Sequence, residues 1–301
     1  MTTSISTGFD ESSFSAKANA ILASRQKDAT AHTLSTTLKV YRVVIGFLIA
    51  SLVWKCKYFP LIHQLYTDHQ LQTDFFPALM ANPNVLAGLY IVPVVLGFLA
   101  MFSHNKAILR FQAITIMVCM FGLCLHQGSY NDVTFVTSFW VSVWCVWYTM
   151  RIDDAEEILF AKARTFALLI VSLIFLGGAA GKWTPEYWSG NVFYEIYFVD
   201  RDYWFFNFLR TKFEGEGLRN VATYYSRMVI ITETLCAFVW LLPPKVGSAI
   251  ALVVLMGIAL FSNVHLFSVV FCLLGLMLVG MHESKPKPIP LSEPKTELGV
   301  S

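Results

Sequence analysis

The sequence predicts an all-α fold: a polytopic bundle of about eight transmembrane helices, with an aromatic-rich interfacial helical segment on its outer side. Three observations carry this. The 301 residues are 56% hydrophobic and only 14% charged, where soluble domains hold about 45–50% and about 25%; mean hydropathy is +0.57. Several apolar runs exceed the ~17–20 residues that a helix needs to cross a bilayer. Only the stretch 182–227 is both long and non-spanning, and it carries twelve aromatic residues between Trp183 and Phe208.

The elements follow in order. Residues 1–37 are rich in Ser, Thr and Ala and lack the apolar h-region of a signal peptide, so they read as a flexible cytoplasmic arm. The first span is 38–57, with a polar stretch to Asn84 behind it. The second, 85–103, contains Pro93, where a kink is expected. Spans at 111–127, 133–150 and 164–181 come next. After the outer segment the sixth runs 228–242, stopped by Pro243-Pro244. The run 247–281 is too long for one crossing, and Ser262-Asn263-Val264-His265 is its natural hinge. Seven and nine spans are the alternatives to eight. The bundle 38–281 forms one membrane domain, and 282–301 is a cytoplasmic Lys/Pro tail.

Charge sets the direction. With the N-terminus inside, fourteen of the 22 Lys and Arg fall on inner segments, and six of the outer eight lie in or beside 182–227. Long segments weigh little in this bias, so both termini read as cytoplasmic. A net charge of +2 without a basic stripe excludes nucleic acid as a partner. The six cysteines lie mostly inside apolar runs and read as small buried hydrophobes. His63, Asp68, His69 and Asp74 in the first outer loop lack metal-specific spacing, and no metal is expected.

The chemistry concentrates in Gly177-Gly178-Ala179-Ala180-Gly181-Lys182-Trp183, closed by Trp188. Small residues admit another helix or a ligand close to the backbone, and the lysine falls at the hydrocarbon edge. Lys182 therefore has three readings: proton acceptor, anion clamp or snorkelling anchor. Glu233 is the sharpest buried charge. It lies six residues past Arg227, hence about 9 Å deep at ~1.5 Å per residue, where an ionisable group costs about 2.5–3.5 kcal/mol on insertion scales. It is either a functional carboxylate or a structural partner for a neighbouring cation. His126 ends the third span near Asn131 and Asp132, and His265 lies with Asn263 at the hinge; each is either functional or a helix-end residue. Arg42 reads as an inner anchor. Under the assigned direction Lys182, Glu233, His126, Asp132 and His265 all fall at outer helix ends, as an outward-opening pocket would require.

These residues resemble a family. Gly-Ala-Ala-Gly-Lys182 followed by Trp188-Ser189-Gly190 is similar to the Gly-x-x-Lys, then Trp-x-Gly signature of the vitamin K-dependent gamma-carboxylase membrane domain. Its bacterial relatives, the horizontally transferred transmembrane proteins, share that signature. Arg42-Val43-Val44-Ile45-Gly46 resembles the family's opening Arg-x-x-x-Gly, and the Glu233 span ending at Pro243 and a histidine in the last apolar stretch are similar as well. DoxX-type membrane proteins share several of these features. The resemblance covers about 38–281 and implies an integral protein of the bacterial inner membrane. It implies Lys182 as a base acting with reduced vitamin K, and Glu233, His126 and His265 are the other candidate catalytic residues. Gly177, Gly178, Gly181, Trp183 and Trp188 would lie around a quinone-like cofactor. Beyond His282 the chain has only a short tail, not the family's large extramembrane domain, so protein glutamate is not the expected substrate. The expectation is thus an outward pocket for a quinone-like or lipid-like ligand around Lys182 and Glu233, with catalysis left open. The alternative is a non-catalytic scaffold or accessory subunit of a larger membrane complex, packing through Gly177-x-x-x-Gly181.

Overall fold

The computed structural model describes residues 36–57, 59–68, 77–126, 132–199, 201–261 and 266–282. His265 and Asn263, the expected hinge, lie outside the described residues, as do Asn131 and nearly all of the N-terminal arm and the C-terminal tail. The described residues are helical throughout, without a strand.

Six helices are long and apolar enough to cross a membrane. They are α1 (Thr36–Lys55), α3 (Pro83–Phe102), α4 (Lys106–Leu125), α5 (Val133–Met150), α6 (Glu156–Ala180) and α11 (Pro244–Phe261). The chain is therefore a multi-pass membrane protein. A short α2 (Phe59–Asp68) follows α1. Starts are fixed locally by capping: the Asn82, Asn105 and Asp132 side chains accept from the first backbone N–H groups of α3, α4 and α5. Helix α3 runs on through Pro93 without ending there.

Two of the eight expected crossings fall short of that requirement. Helix α12 (Phe267–Met281) is strongly apolar but has 15 residues, about 22 Å at ~1.5 Å per residue against a core of ~30 Å. Helix α10 (Gly215–Cys236) has 22 residues but carries Glu216, Arg219, Arg227 and Glu233. It starts thirteen residues before the expected 228 and ends at Cys236, with a tight turn at Val239–Leu241 leading to α11. Apolar periodicity located the buried half of α10; its polar outer half carries no such signal.

The helices of the bundle share one core cluster. Trp144 stacks on Tyr148 at 4.7 Å and Tyr148 on Tyr41 at 6.5 Å. Two of their polar ends meet backbone carbonyls, Tyr148 Oη donating to Thr37 and Trp144 Nε1 to Ala163, which offsets the cost of burying them. The buried Tyr41 hydroxyl has no hydrogen-bond partner among the described residues. Helix α12 joins the halves of the bundle, packing on α5, α6 and α11. Gly275 lets α12 meet α1 closely, since a Cβ there would lie 2.9 Å from the Val44 Cα.

The stretch 182–214 forms α7 (Pro185–Trp188), α8 (Asn191–Phe193) running into a wider turn to Val199, and α9 (Trp204–Lys212). These pieces fold against the outer half of α10 around their own small core of Phe193, Phe198, Phe206, Leu218, Ala222, Tyr225 and Val229. The aromatic load is thus largely internal packing. Gly190 makes the junction. Its φ is +84°, and a Cβ there would lie 2.5 Å from the Thr223 Cα. Arg210 is consumed within this region, donating to the carbonyls of Phe198, Val199 and Arg201. Arg219 and Arg201 lie over Tyr194 and Tyr197, with one buried guanidinium nitrogen of Arg201 left without a hydrogen-bond partner among the described residues.

Candidate functional site

Helix α6 ends in the small-residue run because Glu233 of α10 must come close. Lys182 follows directly, and its Nζ lies 2.6 Å from Glu233 Oε2 and 3.0 Å from the Gly178 carbonyl oxygen. A Cβ on Gly178 would lie 3.3 Å from that same carboxylate oxygen, so the glycine makes room for the pair. Glu233 is buried and Lys182 is partly exposed.

The pair is one rung of a ladder between the α6–α7 connection and α10. Trp183 Nε1 donates to Thr234 Oγ1 at 3.0 Å, Arg227 Nε to the Trp188 carbonyl at 3.1 Å, and Thr223 Oγ1 to the Ser189 carbonyl at 2.8 Å. Ser226 Oγ donates to the Tyr187 carbonyl. Trp183 stacks on Trp188 at 5.1 Å, and the Arg227 guanidinium lies 5.8 Å from the Trp188 ring. Five of the expected residues (Gly178, Lys182, Trp183, Trp188 and Glu233) therefore meet in one place. Gly177 and Gly181 lie on the same helix end but face outward, and a Cβ on Gly177 would touch nothing within 4 Å.

His126 sits elsewhere. It caps α4, is fully buried, and its Nε2 lies 3.4 Å from the Asn82 carbonyl at the start of α3. Asp132 is also engaged away from Lys182: it caps α5 and binds Lys55 at 2.5 Å. Arg42 is tied down, donating to the Ser103 carbonyl in the α3–α4 turn and lying 3.2 Å from His104 Nε2. Among the described residues no cluster of three His, Cys, Asp or Glu could hold a metal.

An apolar cavity lies one helix face away from the pair. It measures about 440 Å³ between α10 and α11 and is lined by Phe205, Tyr225, Met228, Val229, Thr232, Val254, Gly257, Ile258 and Phe261. Its size and lining fit small-molecule sites. Lys182 and Glu233 do not line it. Thr232, adjacent to Glu233 in the chain, does, and Val229 lies one turn from Glu233 on the same helix. The positions 225, 228, 229, 232 and 254, 257, 258, 261 each follow helical spacing, but only the folded chain reveals that the two rows face each other.

No family model, no curated protein and no solved structure matches the chain.

Proposed function

We propose that this multi-pass membrane protein holds one apolar, quinone-like or lipid-like molecule between α10 and α11, with the Lys182–Glu233 pair fixing α10 against α6 at the edge of that site. The observation that supports this reading is the cavity itself: about 440 Å³, with an almost wholly apolar wall and Thr232 and Tyr225 as its polar groups. An apolar chain or ring fits such a wall, and the Thr232 hydroxyl offers orientation to a carbonyl or hydroxyl oxygen.

The role that the carboxylase resemblance implies for Lys182 meets a chemical condition. An ammonium bound to a carboxylate at 2.6 Å has no lone pair with which to accept a proton. Base chemistry at Lys182 therefore needs that proton released first, to Glu233 or to water at its partly exposed side. As placed, the pair is a clamp, which favours ligand holding over proton abstraction.

Gly257 supplies the test. It lines the cavity, and a Cβ there meets nothing within 4 Å, so Gly257→Trp fills the site without forcing the backbone. Extraction and mass spectrometry of protein purified in mild detergent should find one apolar species near one per chain. Gly257→Trp should lose it while keeping its helical circular dichroism. Retention of the same species by the variant, or nothing beyond bulk lipid in the native protein, would sink the proposal.

A second reading has its own observation. Gly177 and Gly181 present a small-xxx-small surface on the outward side of α6, a pattern that suits close packing of another helix. A leucine at Gly177 meets open space within the chain. If the protein is a scaffold or accessory subunit, Gly177→Leu strips stoichiometric partners from the purified complex and leaves the cavity ligand in place.

A further inference from the structure

A second groove lies at the opposite end of the bundle, between the end of α5 and the first turns of α6. It measures about 520 Å³ and is lined by Trp147, Arg151, Lys162, Thr165, Phe166 and Leu169, with Ala161 beside them. Its polarity is graded along the helix axes. Arg151 closes α5, and Trp147 lies one turn back into the helix. Lys162 lies in the second turn of α6, Thr165 and Phe166 one turn further, and Leu169 about 10 Å from Lys162 at ~1.5 Å per residue. Both cations thus stand at the mouth, while the rings and the leucine form the deeper wall. Trp147 and Phe166 meet edge to face at 5.1 Å, and the Arg151 guanidinium lies 6.0 Å from the Trp147 ring.

The two cations keep donors to spare. Arg151 gives NH1 to Asp154 at 3.2 Å, with its side chain 46% exposed. Lys162 forms no ion pair with a carboxylate among the described residues. Nearby Lys106 and Arg110 are different, since both are held by Asp153. A groove that is cationic at the mouth and aromatic below has the complementary order to a phospholipid with a charged headgroup.

We propose that this groove binds one anionic phospholipid, its phosphate between Arg151 and Lys162 and the upper part of one acyl chain against Trp147, Phe166 and Leu169. Basic sites between membrane helices recognise such headgroups through charge and hydrogen bonds. The site is separate from the cavity between α10 and α11, and the inference does not rest on the function proposed for that cavity.

Native mass spectrometry of the full chain in detergent tests it, with phosphatidylglycerol, phosphatidylcholine of the same acyl chains, and inorganic phosphate as probes. Phosphatidylglycerol should be retained about thirtyfold better than phosphatidylcholine, the scale expected for two basic residues near a headgroup. Arg151→Gln with Lys162→Gln should bring it down to the phosphatidylcholine level. Leu169→Trp, which keeps both cations and narrows the floor, should lower retention of both lipids. Equal retention of the two lipids, or undiminished phosphatidylglycerol in the double variant, overturns the proposal. So does displacement of the lipid by millimolar inorganic phosphate, which would mark a bare anion site.

Discussion

Two lysine–carboxylate pairs tie helices together at the same end of the bundle, and they are built differently. Lys55 and Asp132 join α1 to α5 at 2.5 Å; Lys182 and Glu233 join the end of α6 to α10 at 2.6 Å. Asp132 is committed at both oxygens: Oδ2 takes the lysine, and Oδ1 accepts the Thr134 N–H as the cap of α5. Lys55 also lies 5.9 Å from the Phe135 ring. Glu233 stands in the last turn of its helix, its side chain caps nothing, and among the described residues that carboxylate receives only the Lys182 bond. The first pair starts a helix. The second joins two finished ones beside a cavity, so it can be altered without unmaking either.

The largest effect should therefore come from the first pair. Asp132→Ala removes a cap worth about 1 kcal/mol and strands a largely buried lysine, so a loss of about 3 kcal/mol is expected, read as a lower thermal midpoint in detergent. Asp132→Asn, which keeps the cap, should recover about a third of that. An equal loss from both would show that the cap contributes nothing and remove the asymmetry.

Glu233→Gln should cost less, about 1–2 kcal/mol, because a hydrogen bond to Lys182 survives. A double-mutant cycle with Lys182→Met measures the coupling. If Lys182→Met with Glu233→Leu restores the midpoint while the cavity ligand is lost, the pair is needed by the site and not by the fold. Coupling near zero would reduce the pair to two independent surface charges.

The smallest effect belongs to Asp153 at the other end, half exposed and bound by Lys106 and, at 2.6 Å, by Arg110. Exposed pairs contribute little, so Asp153→Asn should change stability by no more than about 1 kcal/mol. The hydrogen bond from Lys106, with Arg110 adding, holds the Asp153 carboxyl below its ordinary value. A carboxyl depressed in the folded state stabilises it above the unfolded pKa, and that contribution fades as pH falls through the folded value. The difference between native protein and Asp153→Asn should thus be present at neutral pH and vanish on the acid side. A difference growing toward acid pH would reverse this assignment.

Much of this architecture could be read from the chain. Apolar runs located all six helices that qualify as spans, because hydrocarbon imposes a length on composition. Lys182 and Glu233 stood out for the same reason, being charges where charge is costly. The Lys55–Asp132 pair was harder to see. Lys55 read as one of several outer charges and Asp132 as part of a cluster with His126, and nothing in their spacing says that α1 and α5 are neighbours. Pairing between distant helices is a property of packing. The start of α10 was missed because its outer half is held by the aromatic cap rather than by lipid, and so lacks an apolar face long enough to register. Gly178 drew notice as a small residue, but its reason, a carboxylate 3.3 Å from where a side chain would begin, exists only in three dimensions.

The continuity of α10 has a mechanical consequence. The helix is one rod of 22 residues, about 33 Å long, gripped near its C-terminal end at Glu233 and packed along its N-terminal half by the aromatic cap. That makes Glu233 a fulcrum with a long arm toward Gly215 and only a few residues beyond it. A swing of about 5° there would carry Gly215 roughly 2 Å sideways, and the wall formed by Tyr225, Met228 and Thr232 lies along the moving arm. A displacement of the cap would thus widen or pinch the space beside α11, with the lysine–glutamate bond acting as the hinge pin.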